Sequence, residues 1–94
     1  MHAQLTTFIV GAESRQHAEQ AAGDARSAAA GQAGFVDISF FYDDRTNELG
    51  SYSRWESKEA ADAAGKVLTK AVEESLGAAL KDQVLNRTVE LIGA

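Results

Sequence analysis

The order of patterned segments leaves this chain few folds to choose from. Ala3 to Val10 (A-Q-L-T-T-F-I-V) is rich in β-branched and aromatic side chains and predicts a strand that starts almost at the terminus. Gly11 ends it, and Ser14 is placed to cap a helix running to about Ala30, with Gly31 at its stop. The helix stripe (Ala18, Ala21, Ala22, Ala25, Ala28, Ala29) is pure alanine, so this helix must either lie very close to its neighbours or leave space beneath it. Phe35 to Asp43 and Glu48 to Trp55 alternate with period two around the polar turn Asp43-Asp44-Arg45-Thr46-Asn47, which predicts a hairpin.

Ser57 is placed to cap a second helical region with Glu56 and Glu59 near its positive end. Its apolar stripe is Ala60, Ala61, Ala64, Val67, Leu68, Ala71, Val72, Leu76, Ala79 and Leu80, and Asp62 and Lys66 have the spacing of an i,i+4 ion pair. Gly65 costs about 1 kcal/mol in a helix interior, which predicts a kink or split there. A last strand is expected over Val84 to Ile92. Strand, helix, hairpin, helix, strand is the ferredoxin-like β-α-β-β-α-β order of an α+β domain. Right-handed crossovers place both helices on one face of a four-stranded sheet.

Val36, Ile38, Phe40 and Tyr42 share one face of the second strand, and Phe35 and Phe41 share the other. The face without helices then carries phenylalanines that invite a second identical sheet. Chain length favours the same outcome. The 94 residues form a single domain, 1–94, and a chain this short buries only about 60–65% of its unfolded surface. It has no cysteine to staple it or to hold a metal through thiolate, so a homodimer through sheet faces is the expected support.

Fourteen acids against nine bases give a net charge of −5 without a Lys/Arg run, which disfavours nucleic acid and anionic membranes as partners. No apolar run reaches membrane-spanning length, and Met1 to Val10 lacks the pattern of a signal peptide, so a cytoplasmic location is expected.

The segments G-F-V-D-I-S-F-F-Y-D-D (Gly34 to Asp44) and S-Y-S-R-W-E-S-K-E-A-A-D-A (Ser51 to Ala63) resemble the antibiotic biosynthesis monooxygenase (ABM) family of dimeric α/β-barrel proteins. Gly34-Phe35, Trp55-Glu56-Ser57 and Glu59-Ala60-Ala61 carry the resemblance, which spans the chain in length and element order. It implies two protomers stacked sheet to sheet with their helices outside, and a pocket between sheet and helices in each. Enzymes of the family oxidise anthrones, quinols and related phenols with dioxygen and no cofactor, the substrate itself supplying the electrons.

The same resemblance makes Trp55 a pocket residue, although a Trp at a strand end is also an ordinary core filler. Quinone-forming members carry an Asn where this chain has Ser51 and a Tyr near Ala61. Haem-degrading members carry a His where this chain has Gly65, so haem degradation is disfavoured. Tyr42 and Tyr52 offer phenols, with Ser51 and Phe40, as substrate-binding candidates. His17, on the flank of the first helix stripe, is the candidate base for a phenolic proton, although a boundary His on a helix is more often an ordinary solvated side chain. His2 sits at the terminus. Two histidines without cysteine give no metal-ligand spacing. The expected function is cofactor-independent oxidation of a small aromatic or polycyclic phenol, and the alternative is a non-catalytic dimer that binds a small ligand or serves a structural role.

Overall fold

A computed structural model describes residues 1–11, 15–77, 80 and 84–93. The elements follow the predicted order: β1 (His2–Ile9), α1 (Arg15–Ala30), β2 (Phe35–Asp43), β3 (Glu48–Trp55), α2 (Lys58–Leu76) and β4 (Leu85–Glu90). The four strands form one antiparallel sheet in the order β2-β3-β1-β4, so the hairpin lies on one side of β1 and the last strand on the other. Both helices cover the same face. The expected caps at Ser14 and the stripe position Ala79 lie outside the described residues.

Local chemistry explains the element ends. Ser57 is extended (φ −144°, ψ 163°) and its Oγ accepts from the Ala60 amide at 3.1 Å, starting α2 as the sequence predicts. In the hairpin, Asp43 Oδ1 accepts from the Arg45 amide at 2.9 Å, an Asx turn, and Asn47 takes the left-handed conformation (φ 58°) that closes it.

The register assigns each side chain to a face. Under the helices lie Gln4, Thr6 and Phe8 of β1, opposite Ser53, Ser51 and Leu49 of β3. Away from them lie Leu5 and Thr7 of β1, Tyr52 and Arg54 of β3, and Phe41 of β2. Across this open face Arg54 Nε donates to Asp37 Oδ1 at 2.8 Å, with a second contact from Arg54 Nη2 to Asp37 Oδ2. The pair lowers the Asp37 carboxyl and raises the Arg54 guanidinium from their ordinary values, chiefly through that hydrogen bond.

The core has two apolar parts. Phe8, Val10, Leu49, Val72 and Leu76 meet Ala18 and Ala21 at one end. Ile38, Trp55, Ala61, Ala64 and Leu68 meet Ala25 and Ala29 at the other. The alanines of α1 resolve the choice posed by the sequence: α1 lies close against α2 and the sheet, and its small side chains allow the approach.

Three expectations change. Strict alternation puts Phe35 on the open face and Val36 beneath the helices, but a β-bulge between Phe35 and Asp37 reverses both. Phe35 then packs edge-on against Trp55 (ring centroids 5.4 Å, 71° between planes), and Val36 is exposed. Second, α2 runs unbroken through Gly65. Third, Asp62 pairs with Lys58 at 3.0 Å instead of Lys66.

Gly34 anchors the start of β2 to the end of β3. Its carbonyl accepts from the Glu56 amide at 2.9 Å, its φ is +83°, and a Cβ there would stand 2.8 Å from the Ala60 Cβ. Gly34→Ala should therefore lower stability by about 1–3 kcal/mol through backbone strain alone, measured by urea unfolding; an unchanged midpoint would contradict this role.

Candidate functional site

Between the two apolar clusters the covered face of the sheet is polar. Gln4, Thr6, Ser51 and Ser53 are all buried there, Gln4 and Thr6 on β1 facing Ser53 and Ser51 on β3. Polar side chains in a core are tolerated only when hydrogen-bonded, and most of these are. Ser53 Oγ accepts from Trp55 Nε1 at 2.8 Å and donates to the Gln4 carbonyl at 3.3 Å. Thr6 Oγ1 donates to Asn86 Oδ1 at 2.6 Å, and Asn86 Nδ2 donates to Thr69 Oγ1. Thr69 in turn donates to the Gly65 carbonyl at 2.8 Å.

Gln4 joins three elements. Its Nε2 donates to the Ala61 carbonyl of α2 at 2.8 Å and to Thr88 Oγ1 of β4 at 2.9 Å. The Thr88 hydroxyl is already committed as a donor to Asp62 Oδ1 at 2.5 Å, so towards Gln4 it can only accept. Both neighbours are acceptors, which orients the amide. Gln4 Oε1 is left buried without a partner among the described residues. An unpaired buried acceptor costs about 1–3 kcal/mol, and its survival in a small domain marks a place where a donor is expected.

The polar belt opens to the surface at a groove between α2 and β4, about 570 Å³ in volume. Buried Gln4 and Gly65 line it together with Thr69, Asn86 and Thr88 and the charged residues Lys58, Asp62, Lys66, Lys70, Glu73 and Arg87. Gly65 makes the close contact possible, because a Cβ there would sit 2.8 Å from Gln4 Nε2. The carboxyl of Asp62 is held below its ordinary value, first by the Thr88 hydroxyl and then by Lys58. It therefore stays ionised, and the stabilisation it gives is present above the ordinary aspartate range and fades as pH falls through the lowered value.

The residues singled out from the sequence are not brought together. Trp55 is fully enclosed between Phe35 and the helices and lines none of the clefts described here. Ser51 is buried in the polar belt. Tyr52 is on the open face of the sheet, away from both helices. Phe40 and Tyr42 line a second cleft of about 420 Å³ between α1 and β2, where Arg15 lies 4.6 Å over the Tyr42 ring and Arg26 lies 5.2 Å over Phe40. The Tyr42 hydroxyl donates to Asn47 Oδ1 at 2.8 Å. His17 is exposed on α1 and lines neither cleft. Among the described residues no three His, Cys, Asp or Glu side chains gather as metal ligands would.

Sequence reasoning missed Gln4, Asn86 and Thr88, and it passed over His2, which lies in β1 opposite Trp55 and Glu90. The parity of the first strand held the signal: Gln4 and Thr6 fall on the same side as Phe8 and Val10, so a core strand begins with two polar residues.

Gly65 offers a direct check. Gly65→Ala should gain about 1 kcal/mol in helix propensity yet destabilise the protein by about 1–2 kcal/mol through the clash with Gln4. In a double-mutant cycle with Gln4→Ala the same change should turn neutral or stabilising. Additive effects in urea unfolding would show that the two residues do not meet.

No protein-family model and no curated protein matches the sequence. Solved structures do. A Nitrosomonas europaea protein assigned by name to the antibiotic biosynthesis monooxygenases is 8% identical, with TM-score 0.77 over 98% of this chain and 99% of that one. The monooxygenase from the gene ActVA-Orf6 of Streptomyces coelicolor, solved in complex with Nanaomycin D, is 19% identical with TM-score 0.72 over 99% of this chain and 88% of that one. SnoaB, a cofactor-independent oxygenase from Streptomyces nogalater, is 15% identical with TM-score 0.73 over 99% and 94%. Nearly the whole chain, with its β-α-β-β-α-β order, therefore has the ferredoxin-like fold of antibiotic biosynthesis monooxygenase domain proteins.

Proposed function

We propose that this protein is a cofactor-independent monooxygenase that oxidises a small aromatic or polycyclic phenol with dioxygen, and that it works as a homodimer. The reading is carried by one observation: Gln4, whose buried Oε1 has no partner among the described residues, is one of the residues lining a polar groove between α2 and β4. A phenolic hydroxyl is a donor of the size and polarity that such an acceptor requires. The fold shared with a cofactor-independent oxygenase and with a monooxygenase that holds Nanaomycin D supports the choice of chemistry.

For an anthrone-like substrate the reaction balances without any other reductant. A ring methylene plus dioxygen gives a carbonyl plus water, and the substrate supplies all four electrons. The protein's part would be to seat the phenol, exclude bulk water and favour loss of a proton from the substrate. Trp55 packs behind this belt through Ser53, so in this reading it acts as a positioning residue. Ser51, Tyr42, Tyr52, Phe40 and His17 remain proposals of the sequence. Of these, Ser51 has the nearest place, two residue pairs along the sheet from the Gln4–Ser53 pair and on the same face.

Oxygen consumption over a panel of anthrones and naphthoquinols tests the reaction. Uptake above the buffer rate is expected, falling at least tenfold in Gln4→Met, which removes the carbonyl at similar length. No uptake with any substrate, while ligands still bind the groove, would establish the second reading, a non-catalytic binding domain. That reading draws on the enclosed position of Trp55 and on Ala61, which is buried and brings no hydroxyl.

The dimer is proposed through the open face, where the Phe41 ring lies over Gly50 and a hollow of about 380 Å³ is lined by Leu5, Thr7, Phe41, Leu85 and Arg87. Phe41 is 46% exposed and Leu85 57%, and covering such a patch favours association. Sedimentation velocity should show a dimer for the wild type and a monomer for Phe41→Glu; a wild type that sediments as a monomer rejects it.

A further inference from the structure

We propose that the cleft between α1 and β2 is a second ligand site, separate from the polar groove, and that it takes a carboxylic acid with an unbranched apolar chain, its carboxylate at Arg26. The site stands apart from the oxygenase reading and shares no residue with the groove.

Helix geometry makes the cleft. Arg15 and Arg26 are eleven residues apart on α1, close to three full turns, so they stand on one side of the helix, about 16 Å apart along its axis. Each guanidinium lies over a ring of β2, Arg15 at 4.6 Å from the centroid of Tyr42 and Arg26 at 5.2 Å from that of Phe40. Ala22 and Gly23, between the two arginines on α1, line the cleft with Phe40, Tyr42 and Leu49. Its volume of about 420 Å³ is in the range of small-molecule sites. Gly23 keeps it open. A Cβ there would meet nothing within 4 Å, so packing does not require a glycine at this position, where it weakens the helix interior.

Arg26 is oriented for a carboxylate. The Phe40 ring supports its plane and Nη1 donates to the Ile38 carbonyl at 3.4 Å, which leaves Nε and Nη2 with no partner among the described residues. Arg54 uses the same two nitrogens to hold the two oxygens of Asp37 on the open face. A planar fork of this kind fits a carboxylate through two parallel hydrogen bonds. The acids of β2 are already committed, Asp37 to Arg54 and Asp43 to Arg45 at 3.5 Å. Glu19, the acid in the cleft, is 3.3 Å from Arg15 and offsets its charge. One cation is left uncompensated, which suits a monoanion better than a phosphate dianion. The apolar lining then sets the rest of the ligand, a chain that lies along α1 from Arg26 towards Arg15.

Isothermal titration with octanoate, octanamide and acetate tests the site. Octanoate should bind about tenfold or more tightly than octanamide, which lacks the charge and the second acceptor oxygen. It should exceed acetate, which has no chain to bury, by about tenfold or more as well. The preference for octanoate over octanamide should vanish in Arg26→Gln. Gly23→Leu fills the cleft while improving helix propensity, so it should fold and lose octanoate binding. Circular dichroism checks the fold of both variants; if Arg26→Gln does not fold, the wild-type ligand comparison together with Gly23→Leu decides. No binding of octanoate, equal affinity for octanoate and octanamide, or octanoate binding that is unchanged in folded Arg26→Gln or Gly23→Leu would overturn the proposal.

Discussion

The contact between the Gln4 amide and α2 at Gly65 sets the spacing of the whole domain. One side chain bonds the helix backbone at Ala61, the edge strand at Thr88 and, through its own main chain, Ser53 of the neighbouring strand. It therefore ties β1, β3, β4 and α2 at one depth. A Cβ at residue 65 would stand 2.8 Å from Gln4 Nε2, so the amide would have to shift. The helix-propensity cost at Gly65 is about 1 kcal/mol, which is small beside the packing that the close approach allows along the rest of α2.

The same contact divides the core. On one side Phe8, Leu49 and Val72 fill the space under the alanines of α1, and on the other Trp55, Ile38 and Leu68 do so. Between them the belt of hydroxyl and amide groups is tied by internal bonds through Gln4, Thr6 and Ser53, with Gln4 Oε1 unpartnered among the described residues. A half-satisfied polar network costs stability compared with an apolar core, so its presence is easier to explain by ligand recognition than by folding. Trp55 takes part in both roles, since it closes one cluster and donates to Ser53 of the belt.

Two surfaces of the edge strand β4 have different work in this arrangement. Asn86 and Thr88 face the groove, while Leu85 and Arg87 start from the open face of the sheet. Arg87 reaches both. A partner sheet laid on the open face would therefore press on the strand that forms one wall of the groove, and the two proposed surfaces share that strand.

The residues by themselves determined the element order, the hairpin, the Ser57 cap and the period-two alternation of β2 and β3. All of these follow from local rules: period-two alternation, capping chemistry and short-range turn bonds. Tertiary structure decided the rest. The bulge that exchanges Phe35 and Val36 depends on Phe35 finding the Trp55 ring across the hairpin. The unbroken α2 sets Gly65 against Gln4, from a strand far away in sequence. The polar groove depends on β1, α2 and β4 bringing Gln4, Asp62, Thr69, Asn86 and Thr88 together, residues that no spacing along the chain connects. Alternation and propensity report what each segment prefers alone, whereas a partnerless carbonyl is defined only by what surrounds it in the folded chain.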